Sequence, residues 1–376
     1  MDARRLLTEL WRAALSAVDP ESLVAGYLRT RRIAPTGRVG VFASGKAAAG
    51  MCAGVPRELL NEGLLVVPCG TPVPRRLLRF ARFAAHPDPD RSSLAAAKEA
   101  VDFFRGFGKL DMILALISGG SSSLLCLPSN GETLASKRAK VRRAGKEGWT
   151  IERINRLRSS LSLVKDGRLA EATPARVLTL ILSDVPGSDF RIVGSGPTVS
   201  RRKAGDRAVL LADNRTGLAA AANFARSRGV PVRVERRRLS GEAAAAGEKF
   251  ALRLRSLGRG VLLAGGETTV RHTGRSGSGG RSQELALGAA RVLAAGEAGQ
   301  LVLSAGSDGI DGNSENAGAF SDRATLPRAR ELGLDPEQFL RRHDSATFFE
   351  SLGDQFRPGA TGSNVADWVF GISGRG

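Results

Sequence analysis

Five short loops of this sequence join glycine to hydroxyl, acidic or basic side chains in ways suited to anion chemistry. They are Ser44-Gly45-Lys46, Ser118-Gly119-Gly120-Ser121-Ser122-Ser123, Ser183-Asp184-Val185-Pro186-Gly187, Gly265-Gly266-Glu267-Thr268-Thr269 and Ser304-Ala305-Gly306-Ser307-Asp308-Gly309. Glycine and serine leave backbone N–H groups and hydroxyls open to a phosphate or carboxylate, and a helix starting just beyond adds the positive end of its dipole. The same residues also build tight strand-to-helix turns in which glycine supplies only a positive φ, so one loop alone specifies nothing. Five of them in one chain favour an anion site.

The charged groups refine that chemistry. Gly40 to Ala47 nearly spells the phosphate loop GxxxxGK[ST], but Ala47 replaces the hydroxyl that would hold magnesium, and Gly40 to Ala43 falls inside an apparent strand. What remains is Lys46 after a Ser-Gly turn, a point charge for a phosphate or carboxylate. His272 to Glu284 is a glycine-rich loop feeding a helix, and its Arg281, beside Gly280, is suited to offset charge on a transferring phosphoryl group. Asp308 and Asp311, three apart in a loop, have the composition of a magnesium site, and Asp184 that of a group orienting or deprotonating a hydroxyl. Each carboxylate has an alternative role as an Asx turn or helix cap. No GxGxxG opens a first βαβ unit, no GxSxG or HExxH occurs, and His86, His272 and His343 are far apart, which argues against nicotinamide, serine-hydrolase and zinc-hydrolase chemistry.

These loops need elements to hold them. Short runs rich in Val, Ile and Leu alternate with amphipathic or Ala-rich segments, the pattern of parallel sheets covered by helices. Strands are expected at 39–43, 64–67, 111–117, 177–182, 230–234, 260–264, 300–303 and 366–372, and helices at 92–106, 150–164, 216–228, 241–257 and 282–295. Leu7, Leu10, Trp11, Ala14 and Val18 form one face of an N-terminal helix. Each loop then lies at the carboxyl end of a strand, where open α/β sheets bind ligands. The basic stretch 200–207 marks a junction, dividing the chain into 1–205 and a block from 206.

A chain of 376 residues suits two or three domains, and 42% hydrophobic with 25% charged residues is an ordinary globular composition. No apolar run approaches the roughly 20 residues needed to cross a bilayer. Three scattered cysteines make no disulfide framework or zinc site, which with the absence of a signal-peptide pattern favours the cytoplasm. The net charge of +19 raises nucleic acid as a partner, yet only nine of the 56 basic residues are Lys, the Arg are spread along the chain, and aromatics are 5%. Specific nucleic-acid recognition is therefore disfavoured, and the charge suits small anionic substrates.

Read in order, ASGKAAAGM (43–51), HPDPDRSSLAAA (86–97), ISGGSSSLLCLP (117–128), INRLRSSLSLVKDGRLA (154–170), LSDVPGSD (182–189), GSGPT (194–198), DNRTGLAAAA (213–222), GGETTV (265–270), GGRSQELAL (279–287), SAGSDGIDG (304–312), AGAFSD (317–322) and TGSNVADW (361–368) together resemble the type-2 glycerate kinases. These are the MOFRL-domain proteins, also named hydroxypyruvate reductases. The resemblance implies an α/β protein of two domains with mainly parallel sheets: a Rossmann-like larger domain over 1–205, to which a segment of about 345–376 returns, a smaller MOFRL-type domain over 206–344, and an active site between them. It implies phosphorylation of D-glycerate with ATP and Mg2+, generally to 2-phosphoglycerate, with Lys46 and Arg281 in the active site and Asn155, Arg158 and Lys165 as anion contacts. Ser44, Gly45, Ser118, Gly119, Gly120, Ser121, Gly266, Glu267 and Gly280 are then expected to meet substrate or nucleotide, Asp184 the hydroxyl, and Asp308 with Asp311 the metal. Alanine at Lys46 or Arg281 is expected to abolish most turnover and leave melting nearly unchanged. The other readings are a hydroxypyruvate reductase and a non-catalytic anion- or nucleic-acid-binding protein.

The sequence departs from that family in three places. Lys165-Asp166-Gly167 stands for Lys-Gly-Gly, Asn313-Ser314 for Pro-Thr, and basic Val199 to Lys203 follows GSGPT where an acidic residue is usual.

Overall fold

The structure is a computed structural model that describes residues 2–31, 33, 36–149, 151–185, 189–270 and 277–374, with the backbone alone for residues 146, 151, 152, 155 and 190. It divides into two compact units, residues 19–212 and residues 1–18 with 213–376.

The first unit is built on six parallel strands, β1 (Val39–Ser44), β2 (Glu62–Pro68), β3 (Ala81–Ala84), β4 (Met112–Ser118), β5 (Arg176–Leu182) and β6 (Arg207–Ala212), in the order β3-β2-β1-β4-β5-β6. In β4 every residue from Ile113 onward is buried, because a parallel sheet is covered on both faces and its strands read as continuous apolar runs. The helix Arg91–Arg105 begins at a capping box of Asp90 and Ser93 and lays Ala96, Ala97, Ala100 and Phe104 against this core, with Phe104 edge-on to Phe42 at 5.2 Å between ring centroids. The chain leaves β1 toward β2 on one side and returns as β4 on the other. The carboxyl ends of β1 and β4 therefore flank the topological switch point.

The second unit carries β7 (Val232–Val234), β8 (Arg259–Gly266), β9 (Gln300–Gly306), β10 (Gly318–Asp322), β11 (Gln355–Phe356) and β12 (Asp367–Gly374), in the order β11-β10-β9-β12-β8-β7. Only β7 and β8 pair in parallel; β12 runs antiparallel between β8 and β9, so this sheet is mixed. The helices Ala243–Arg255 and Arg281–Leu293 bury Phe250, Leu254, Leu285 and Leu293 in its core.

Three domain expectations are corrected. The boundary lies after Ala212 rather than at 205, because β6 completes the first sheet by pairing with β5. The segment 345–376 does not return to the first unit: β12 is a central strand of the second sheet, with Trp368 and Phe370 fully buried. Residues 1–18 also join that unit, where the helix Ala3–Ser16 packs on the helix Asn214–Ser227 and Ser363 Oγ donates to the Val18 carbonyl at 3.0 Å.

The departures from the family pattern are accommodated locally. Asp166 takes a left-handed φ of 56°, a conformation that aspartate tolerates better than most residues, and its N–H still reaches the Ser195 carbonyl at 3.0 Å. Asn313 Oδ1 accepts the Gly279 N–H at 2.8 Å while its Nδ2 donates to the Gly277 carbonyl at 3.1 Å, tying down the end of the glycine-rich loop. In the basic run, Arg202 lies 3.6 Å from Glu171 and Lys203 3.5 Å from Asp206.

Candidate active site

In the first unit the loops after β1 and β4 interlock. Lys46 N–H donates to the Gly119 carbonyl at 2.8 Å, Ala47 N–H to Ser118 Oγ at 3.0 Å, and Ser121 Oγ to the Ser44 carbonyl at 2.7 Å. Gly45 has φ +126°, and a Cβ there would stand 2.2 Å from Ser118 Oγ, so only glycine lets the two turns close on each other. Ser44, Ser118 and Ser121 are fully buried. The hydroxyls of Ser118 and Ser121 are spent on the lock, and Ser44 Oγ is buried without a hydrogen-bond partner among the described residues. Half-buried Lys46 and Gly120 remain at the surface of the switch point, with the His86 ring beside Gly120.

Next to this turn lies a cavity of about 400 Å³ lined by Gly120, Ser122, Ser123, Cys126, Lys137, Arg138, Arg142, Arg158 and Lys165, with Asp88 as its acidic residue. Arg158 and Lys165 both line this cavity. Lys165 is 3% exposed; its Nζ donates to the Ser122 carbonyl at 3.0 Å, to Ser122 Oγ and to Ser195 Oγ at 3.4 Å. Burial pushes the Lys165 ammonium down to about 7, with the charges of Lys137 and Arg158 acting the same way and Cys126 opposing. Lys137 is 5% exposed, and its Nζ reaches no hydrogen-bonding oxygen or nitrogen among the described residues, having only the Cys126 thiol beside it. The buried Lys137 and Lys165 beside the half-buried Arg158 concentrate positive charge where water is scarce, which favours an anionic ligand. Asp184 lies half-buried just past β5 and does not line this cavity. The side chain of Asn155 and residues 186–188 lie outside the described residues.

In the second unit Arg281 is the centre. Its Nε and Nη2 donate to the two oxygens of Asp367 at 2.6 and 3.2 Å, and its Nη1 donates to Glu267. Burial disfavours the guanidinium's charge, but Asp367 and Glu267 more than offset this and keep it ionised. Gly280 opens the helix Arg281–Leu293 without a capping side chain of its own, and Asp311 supplies the cap from a distant loop, accepting the N–H of Ser282 at 3.0 Å and of Gln283 at 2.8 Å. A Cβ at Gly280 would come within 2.4 Å of Asp311 Oδ1, so this approach needs glycine; at Gly266 it would come within 2.4 Å of the Leu239 carbonyl. Both glycines serve close packing. Burial pushes the Asp311 carboxyl up to about 7 against those two N–H groups, and the Asp367 carboxyl up to about 6 against Arg281. Residues 271–276, including His272, lie outside the described residues.

Asp311 does not fit a metal ligand, because both its oxygens hold the helix. Among the described residues no group of three or more His, Cys, Asp and Glu could hold a metal. Asp308 Oδ1 accepts the Ile310 N–H at 3.3 Å. Asp311→Ala is expected to cost about 2–4 kcal/mol of stability by leaving two buried N–H groups without acceptors. Asp308→Ala should cost about 1 kcal/mol or less. Thermal melts of the two variants check this.

Sequence reasoning missed Lys137, Ser122 and Asp367. Asp367 had a signal, an acid directly before the apolar run Trp368–Ile372.

A Rossmann-ordered sheet with a cation-lined switch point, joined to a second α/β unit centred on an arginine held by acids, defines an α/β enzyme that handles anions. A family model described as "Domain of unknown function (DUF4147)" matches residues 6–223, and the MOFRL family model matches 260–367. The chain is 30% identical to the glycerate 2-kinase of Pyrococcus horikoshii, covering 99% of this chain and 98% of that one. It is 35% identical to an Agrobacterium vitis protein that carries the name of a hydroxypyruvate reductase, covering 98% and 94%. The crystal structure of a glycerate kinase from Thermotoga maritima matches with a TM-score of 0.86 at 30% identity, covering 98% of each chain. The chain belongs to the glycerate 2-kinase family of MOFRL proteins, and it is a phosphotransferase. Among the described residues no helix is long and apolar enough to cross a membrane.

Proposed function

We propose that this enzyme transfers the terminal phosphoryl group of ATP to the 2-hydroxyl of D-glycerate, giving 2-phosphoglycerate and ADP in the cytoplasm. The observation that carries the reading is the cation cluster beside the β1–β4 switch point, a site for a ligand with several negative charges. Arg158 and Lys137 neutralise carboxylate or phosphate in the cavity, and Lys46, beside Gly120, and Arg281 are the residues assigned to offset charge that spreads over the transferring phosphoryl oxygens. Magnesium carried by the nucleotide would be held by Asp308 and would supply further neutralisation of the phosphates.

The name of the Agrobacterium vitis relative favours a second reading, reduction of hydroxypyruvate. It is opposed at β1, whose exit reads Ser44-Gly45-Lys46 with the glycine packed against Ser118 and no GxGxxG to cradle a dinucleotide pyrophosphate. The test is ADP release with ATP, magnesium and D-glycerate, run beside NADH oxidation with hydroxypyruvate. Glycerate-dependent ADP with steady NADH is the expected result; the reverse would establish the reductase.

A further inference from the structure

The contacts around Ser122 go beyond charge neutralisation. Ser122 and Lys165 line the cavity; Ser122 Oγ lies 3.0 Å from Ser195 Oγ and accepts from Lys165 Nζ, which also reaches the Ser122 carbonyl at 3.0 Å and Ser195 Oγ at 3.4 Å. As an ammonium, Lys165 has three protons for these three acceptors. As a neutral amine it has two, for the carbonyl and Ser195 Oγ, and a lone pair directed at the Ser122 hydroxyl. Both protonation states are therefore fully bonded, an arrangement suited to taking up and releasing one proton without rearrangement.

Resting on the proposed function, we propose that Lys165, acting through the Ser122 hydroxyl, accepts the proton of the glycerate 2-hydroxyl as that oxygen attacks the phosphoryl group. The glycerate O–P bond forms and the bond from the terminal phosphorus to the ADP oxygen breaks. The glycerate proton passes to Ser122 Oγ, the Ser122 proton passes to Lys165 Nζ, and ADP leaves with the bonding electron pair. Proton acceptance then resides here and not at Asp184, which lies off the cavity. The groups facing Lys165 are Lys137 from the helix Leu134–Lys146, Arg158 from the helix Ile151–Ser160, and Cys126 and Ser122 after β4. The two neighbouring cations favour the neutral amine, and burial does so more strongly, which places its titration at about 7.

The test compares the pH dependence of kcat/KM for glycerate in the wild-type chain, Lys165→Arg, Ser122→Ala and Asp184→Asn, at saturating ATP and magnesium. Melting curves confirm that each variant is folded. The wild type should gain activity as pH rises through about 7, because the acceptor is competent only when neutral. Lys165→Arg, permanently charged, should lose about 100- to 10,000-fold in kcat and lose that limb of the profile. Ser122→Ala should lower kcat by a similar factor with a smaller change in KM, and Asp184→Asn should keep the limb. An unchanged limb in Lys165→Arg, or its loss in Asp184→Asn, overturns the assignment while leaving glycerate phosphorylation standing. A folded wild type that does not turn over glycerate overturns both.

Discussion

Arg281→Ala is expected to lower kcat for glycerate phosphorylation by about 1,000-fold or more, the scale on which arginines that offset phosphoryl charge contribute. The same substitution should also lower stability, contrary to what the sequence suggested. Arg281 binds both oxygens of Asp367, which is only 7% exposed, and removing it strands a buried carboxylate. Breaking a fully buried pair costs about 3–5 kcal/mol; with a third of the Arg281 side chain facing solvent, about 2 kcal/mol is expected here. The pH dependence has a definite sign. Asp367 already titrates at about 6 in the folded chain, above its ordinary 3.8, and without Arg281 it should titrate higher still. An acid whose folded pKa is raised binds more protons folded than unfolded, so stability falls as pH rises from about 4 through that pKa. Arg281→Ala should therefore melt well below the wild type at pH 8 and recover part of the difference at pH 5. Equal deficits at both pH values would mean that Asp367 is not the group left unpaired.

Lys46→Ala should lower kcat by about 100- to 1,000-fold with little change in melting, the effect of deleting one preorganised charge from a transition state. The structure supports the second half of that expectation. The turn is fixed by the backbone of Lys46, whose N–H donates to the Gly119 carbonyl, and by Gly45 against Ser118. Lys46→Arg should restore only part of the rate, because a planar fork replaces a compact ammonium. Steady-state kinetics together with melts decide the matter, and an unimpaired kcat in a folded Lys46→Ala would remove this lysine from the reaction.

Alternating apolar runs made the α/β class legible, and strand-end glycines marked the loops. The order of the first sheet was not legible, since it depends on which strands pair across long crossovers. The same reason hid the destinations of the two ends: the apolar face of Ala3–Ser16 and the run Trp368–Ile372 announce burial but not the partner. Lys46 and Arg281 stood out because each directly follows glycine in a short polar loop. Lys137 did not, although it occupies the apolar stripe of its helix with Leu134, Val141 and Ala144, where a charge asks for a reason. Asp311 was read as a metal ligand because spacing cannot distinguish a carboxylate that faces a cation from one that holds a helix terminus 29 residues away in sequence.

The most direct test is the product. Full-length protein incubated with ATP, magnesium and D-glycerate should, followed by phosphorus NMR, accumulate 2-phosphoglycerate in step with ADP. ADP without a phosphoglycerate, or 3-phosphoglycerate as the first product, would contradict the account.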